Sequence, residues 1–219
     1  MQPLSELARS LCAGDDASTV RLTRAAIDAG TPPEIILSDG LIAGMKVIGE
    51  QFRRHEVFLP AVLLAARAMH RGMELLRPLL AAAEVSGQGT VVLGTVRGDV
   101  HDIGKNLVAI MLEGAGYEVV DLGHDVPAER FVEAVEQSGA RVVGLSALLT
   151  TTMSAMADVI AELTRHGLRE PGTGSGQAGV RVLVGGAPLN AEIARSLGAD
   201  AYCPDASSAA ASVASLLEE

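Results

Sequence analysis

Near residue 90 the hydrophobic period of the chain changes, and this limits its fold more than any other feature. From that point short apolar runs alternate with helical stretches. The runs are Val91–Leu93 (within Thr90–Gly94), Tyr117–Leu122, Val142–Leu145 and Val180–Val184, with a short last strand at 201–203. Helical spacing predicts helices near 103–115, 127–138, 151–166, 189–198 and 206–217. Apolar strands separated by helices are the βαβ pattern of a parallel sheet covered on both faces.

Five such strands predict a doubly wound sheet of flavodoxin/Rossmann-like order. Before residue 90 the period is helical throughout. Leu4, Leu7 and Leu11 start one apolar face, and Gly14-Asp15-Asp16 breaks it, with Asp16 or Ser18 expected to cap the next helix. Gly30 ends that second helix. Thr31-Pro32-Pro33-Glu34 is a start signal: a hydroxyl cap, prolines at the first positions, then an acid. Gly40 and Gly44 weaken the third helix or allow close approach of a neighbour. Phe58-Leu59-Pro60 opens a fourth. The expectation is a four-helix bundle over residues 1–86, a linker over Ala82–Gly89, and an α/β domain over residues 87–219. Leu168–Gly179 is expected to be a loop.

The totals narrow the function. At 48% hydrophobic residues the 219-residue chain has ample core. Aromatics make up 2%, with no Trp, so stacking platforms for single-stranded nucleic acid are nearly absent. The net charge of −10, without a basic run, argues against nucleic-acid binding. Cys12 and Cys203 have no metal-type spacing. There is no secretory leader pattern and no apolar run of about 18 residues, so no membrane role is expected and a cytoplasmic protein follows.

Three turns at the carboxyl ends of expected strands carry unusual residues. The first holds Asp99, His101 and Gly104; the second is Ser146 to Thr152; the third is Gly185-Gly186-Ala187-Pro188. Open α/β sheets place ligands at that edge. A histidine two residues after an aspartate suits a metal on one ring nitrogen and a carboxylate on the other. Hydroxyls offer hydrogen bonds inside an apolar cleft, and paired glycines admit a bulky group. Each turn has an ordinary alternative: a solvated cap at Asp99 and His101, a helix cap at Ser146–Thr152, a tight turn at Gly185-Gly186. No Gly-x-Gly-x-x-Gly follows the first strand, and no P-loop is present. His55, His70, His124 and His166 form no ligand spacing with His101, and His124-Asp125 reads as a turn pair.

Asp99-x-His101-x-x-Gly104, Ser146-x-Leu148 and Gly185-Gly186 together resemble the cobalamin-binding signature of corrinoid proteins. Gly44-Met45 through Gly49-Glu50, Phe52 and Phe58-Leu59-Pro60 resemble the helical cap domain of the same family. By layout the chain is similar to the small corrinoid carriers of methylamine, methanol and O-demethylation systems, and to the cobalamin modules of methionine synthase.

The resemblance implies that His101 replaces the cofactor's own benzimidazole as lower cobalt ligand. Asp99 then hydrogen-bonds the imidazole, and Thr152, where methionine synthase has serine, completes the relay. Ser146, Leu148 and Thr150 line the slot for the displaced nucleotide tail, beside Gly185, Gly186 and Ala187. Phe52 and Leu59 cover the methyl face. The implied partners are a substrate-specific methyltransferase, an acceptor methyltransferase passing the methyl group to a thiol or tetrahydrofolate, and a reductive activation protein. The resemblance implies a carrier subunit of a methyltransferase system rather than a complete enzyme. The alternatives are a cobalamin-dependent sensor acting through a separate partner and a scaffold that has lost its ligand.

Overall fold

The computed structural model describes residues 2–83, 87–169 and 179–218. Part of the expected linker, 84–86, and most of the expected loop, 170–178, lie outside the described residues. Two compact units emerge, one running up to Gln88 and including Gly114–Gly116, the other from Gly89 onward.

The first unit is helical: α1 (Gln2–Cys12), α2 (Asp16–Asp28), α3 (Pro33–Ile35), α4 (Ala43–Arg53) and α5 (Leu59–Ala82). A π-helical segment, Ile36–Ile42, joins α3 to α4, so four rods result. Leu7, Leu11, Ile36, Leu41, Ile48, Val62 and Leu76 are wholly or almost wholly buried between them. The caps differ from expectation. Asp15, not Asp16 or Ser18, caps α2 by accepting the Ser18 N–H at 3.0 Å. Asp16 instead pairs with Arg67 at 2.7 Å. Pro32, not Thr31, is the N-cap residue of α3, and no side chain caps the helix, because proline carries no side-chain oxygen to accept a backbone N–H.

The glycines of the third rod explain their presence through packing. A Cβ on Gly40 would stand 2.6 Å from the Leu7 side chain, and one on Gly44 would stand 2.7 Å from the Ala8 carbonyl oxygen. Gly72 of α5 meets Leu41 as closely, at 2.9 Å. Helix propensity is given up so that backbones approach.

The second unit is a five-stranded parallel sheet: β1 (Thr90–Thr95), β2 (Glu118–Asp121), β3 (Val142–Ser146), β4 (Arg181–Gly185) and β5 (Ala201–Cys203), in the order β2-β1-β3-β4-β5. Its helices are α6 (Ile103–Gly114), α7 (Ala128–Ser138), α8 (Ser154–Arg165), α9 (Ala191–Leu197) and α10 (Ala209–Glu218). Val92, Val143, Val182 and Val184 have no exposed surface, as strands covered on both faces require. Phe131 of α7 fills the space over Gly94, where a Cβ would lie 2.5 Å from its ring. The chain leaves β1 toward β2 on one side and reaches β3 on the other. This is the switch point at which such sheets open a crevice. Among the described residues no helix is long and apolar enough to cross a membrane.

The close contact at Gly44 gives a test. Gly44→Val is expected to lower the stability of the chain by about 1–3 kcal/mol through overpacking against Ala8 and Leu11. Urea denaturation followed by far-UV circular dichroism measures it; an unchanged midpoint would contradict the packing.

Candidate functional site

Strand register assembles the site. Thr95 of β1 pairs with Ser146 of β3, Ser146 with Gly185 of β4, and Gly185 with Cys203 of β5. One row across the carboxyl edge therefore joins three of the sequence motifs to a fourth turn. Beneath it the row Leu93, Gly144, Leu183 supplies an apolar floor. A cavity of about 560 Å³ opens above, lined by His101, Gly104, Ser146, Leu148, Gly185, Gly186 and Ala187 among others. That volume lies within the range of about 300–1,000 Å³ usual for small-molecule sites.

Asp99 is the centre of the rim. It has no exposed surface, yet its carboxylate is fully satisfied. Oδ1 accepts the His101 backbone N–H at 3.0 Å and faces His101 Nδ1 at 2.7 Å. Oδ2 accepts the Leu148 N–H at 2.8 Å, the Leu149 N–H at 3.2 Å and the Thr152 hydroxyl at 2.7 Å. Burial by itself raises the carboxyl. The bonds from His101, Leu148 and Thr152 outweigh it and hold Asp99 well below the usual carboxylate range. An ionised carboxylate only accepts, so Nδ1 carries a proton and Nε2 is the ring nitrogen left for a metal. The imidazole is about half exposed at the cavity.

Two glycines are required by different neighbours. Gly186 has φ +142°, and a Cβ there would overlap the Ala147 carbonyl oxygen. Gly104, in the first turn of α6, is the opposite case: a Cβ would meet nothing within 4 Å, because the cavity lies there. Thr150 is exposed and does not line the cavity. Phe52 at the end of α4 and Leu59 at the start of α5 are half-buried in the helical unit.

The structure adds residues that the motifs do not contain. Cys203, Pro204, Asp205 and Ala206 close the cavity at β5. Burial pushes the Cys203 thiol up, and it donates to the Asp205 carbonyl at 3.0 Å, so it lines the wall as an inert group. Lys105 lines another part, its ammonium buried against Asp121 at 2.6 Å and the Asn106 amide oxygen at 2.7 Å. Val100 and Ile103 flank His101 with 63% and 78% of their surface exposed. Two bare aliphatic residues beside a histidine at a strand's carboxyl end were the available sequence signal.

The second unit is thus a doubly wound α/β domain with an Asp–His pair at the mouth of a ligand-sized, largely apolar crevice. Comparison with known proteins fixes the kind. Residues 89–214 match a family model described as a B12 binding domain, and residues 4–77 match a second model with the same description. Dimethylamine corrinoid protein 3 of Methanosarcina acetivorans is 46% identical over 86% of this chain and 85% of its own length. Trimethylamine corrinoid protein 1 of the same organism is 39% identical over 93% and 91%. Among solved structures, the methanol:cobalamin methyltransferase complex MtaBC of Methanosarcina barkeri matches with TM-score 0.86 and 32% identity, covering 100% of this chain and 81% of that one. A cobalamin-binding protein of Desulfitobacterium hafniense matches with TM-score 0.76 and 28% identity, covering 97% and 98%. The chain belongs to the B12-binding corrinoid proteins, and its cofactor is a cobalamin.

The carboxylate network predicts a pH-dependent stability. Because the folded carboxyl lies below its unfolded value of about 3.9, its stabilisation is complete above about pH 4 and is lost as pH falls through the depressed value. Asp99→Asn sets an amide donor against at least two of the five donors and is expected to cost about 1–3 kcal/mol at neutral pH. Urea titrations at stepped pH should find that difference shrinking below about pH 4.

Proposed function

We propose that this chain holds cobalamin with His101 as the lower cobalt ligand, in the base-off/His-on form, and carries a methyl group between two methyltransferases. The observation that carries the reading is the 2.7 Å contact between His101 Nδ1 and a buried, ionised Asp99. That contact fixes the imidazole tautomer, leaves Nε2 free to donate, and makes it a stronger donor. Thr152, with the Leu148 and Leu149 N–H groups, holds the carboxylate so that the ring does not turn.

The residues present fit the group. Among the described residues no three His, Cys, Asp or Glu side chains gather to hold a metal ion. A cobalt at His101 must therefore bring its remaining donors with it, as a corrin ring does. Val100 and Ile103 offer apolar surface beside the imidazole, and the cavity behind it has room for the nucleotide tail once His101 takes the place of benzimidazole. Gly104 leaves the entrance open. When bound, the corrinoid supplies a cobalt centre that accepts a methyl group and hands it on. The protein's part is to orient the ring, fix the axial donor and exclude water.

By the same resemblance Phe52 and Leu59 are the helical-unit residues that would meet the cofactor. The similarity to dimethylamine and trimethylamine corrinoid proteins and to the MtaBC complex supports a methylated amine or methanol as donor class, delivered by a substrate-specific methyltransferase. A second methyltransferase would pass the group to a thiol or tetrahydrofolate, and a reductive activation protein would restore the cofactor after oxidation. We place the system in the cytoplasm.

Reconstitution with hydroxocobalamin tests the reading. Wild type is expected to bind one equivalent with a visible spectrum that His101→Ala does not reproduce, and Thr152→Ala is expected to weaken binding about 10–100-fold. Identical spectra for wild type and His101→Ala would end it. Gly104→Leu is a complementary probe. The side chain enters empty space and improves helix propensity by about 1 kcal/mol, so thermal stability should hold or rise while corrinoid uptake is lost. Normal uptake in that variant would mean the tail does not enter this cavity.

A further inference from the structure

The turn that carries His101 is gripped by a residue outside all three motifs. Residues 96–102 connect β1 to α6, and Gly98 takes φ +83°. Asp125, between β2 and α7, holds this turn at two points. Its Oδ1 accepts the Gly98 N–H at 2.7 Å, and its own N–H donates to the Asp99 carbonyl at 2.9 Å. The two bonds bracket Gly98 and Asp99 from opposite ends.

Asp125 itself has φ +53°, the left-handed region that costs a non-glycine side chain free energy and that Asp and Asn tolerate best. His55 is the other such residue among those described. The strained conformation is held from both flanks, with Thr95 N–H on Gly123 O at 2.9 Å and Val126 N–H on Thr95 O at 3.0 Å. Thr95, fully buried, closes the arrangement by donating its hydroxyl to the His101 carbonyl at 3.1 Å. Strain kept in place by surrounding hydrogen bonds points to a backbone whose position matters.

We propose that Asp125 is a positioning residue for the cobalt ligand: by clamping Gly98 and Asp99 it sets the backbone from which His101 reaches the metal. This rests on the assignment of His101 as that ligand. Asp125 touches no reacting atom and acts through the turn. A ligand on a loose turn would exchange with the cofactor's own benzimidazole, whereas a fixed one excludes it.

Three substitutions separate the clamp from the strain. Asp125→Asn keeps an acceptor oxygen and tolerates positive φ. Asp125→Ala removes the acceptor and keeps the strain. Asp125→Gly removes the acceptor and relieves the strain. The full chain, labelled with nitrogen-15 histidine, is loaded with cobalamin, and the cobalt(II) form is read by electron paramagnetic resonance. An axial histidine nitrogen-15 splits the signal into doublets, and a benzimidazole nitrogen-14 splits it into triplets.

Wild type and Asp125→Asn are expected to give doublets alone. Asp125→Ala and Asp125→Gly are expected to give mixed signals and a cobalamin Kd raised about tenfold, the scale of one hydrogen bond. Far-UV circular dichroism checks folding, and the glycine variant decides should the alanine variant not fold. Pure doublets and wild-type affinity in the glycine variant would overturn the proposal, as would an asparagine variant that behaves like alanine. A wild type without doublets would instead refute His101 as ligand, a separate failure.

Discussion

A buried carboxylate that must find five donors organises the second unit. Asp99 has no contact with solvent, and an ion in such a position is tolerated only when fully hydrogen-bonded. Its donors come from the turn after β1 and from the turn after β3. Satisfying one charge therefore ties together two loops that approach from different strands. The same charge fixes which nitrogen of His101 is protonated. Local electrostatics, fold closure and ligand chemistry meet on one side chain.

The sheet makes this possible by its order. With β1 between β2 and β3, the chain leaves a crevice at the carboxyl edge, and parallel register brings Thr95, Ser146, Gly185 and Cys203 into one row. Close packing around the crevice is then a matter of what is missing. Gly186 lets its backbone lie against Ala147, while Gly104 withholds a side chain from the cavity. The two glycines serve opposite ends, one permitting contact and the other preserving space. The helical unit uses the first device repeatedly, at Gly40, Gly44 and Gly72, where helices approach more closely than side chains would allow. The π-helical segment at Ile36–Ile42 sits among those contacts, with Leu41 and Ile42 both turned inward.

Much of this was legible in the chain itself. Hydrophobic period separated the helical part from the α/β part, and apolar runs located the strands to within a residue or two, most clearly the inner strands β1, β3 and β4, whose burial on both faces leaves few polar residues to confuse the signal. The Asp99, Ser146 and Gly185 motifs were visible as turns with unusual chemistry. Helix caps were less so: Asp15, Asp16 and Ser18 are all chemically able to cap α2, and only backbone geometry selects Asp15.

Sequence alone determined the order of elements, the residue types at the three motif turns and the family to which they point. Tertiary structure decided the rest: that the Leu148 and Leu149 amides join Thr152 on one oxygen of Asp99, that Thr150 stays outside, and that Cys203, Lys105 and Asp125 belong to the surroundings of His101. The reason is physical. Period and turn chemistry are properties of neighbouring residues along the chain, whereas a hydrogen bond between positions 99 and 152 exists only once strand register and packing have brought two distant turns within reach.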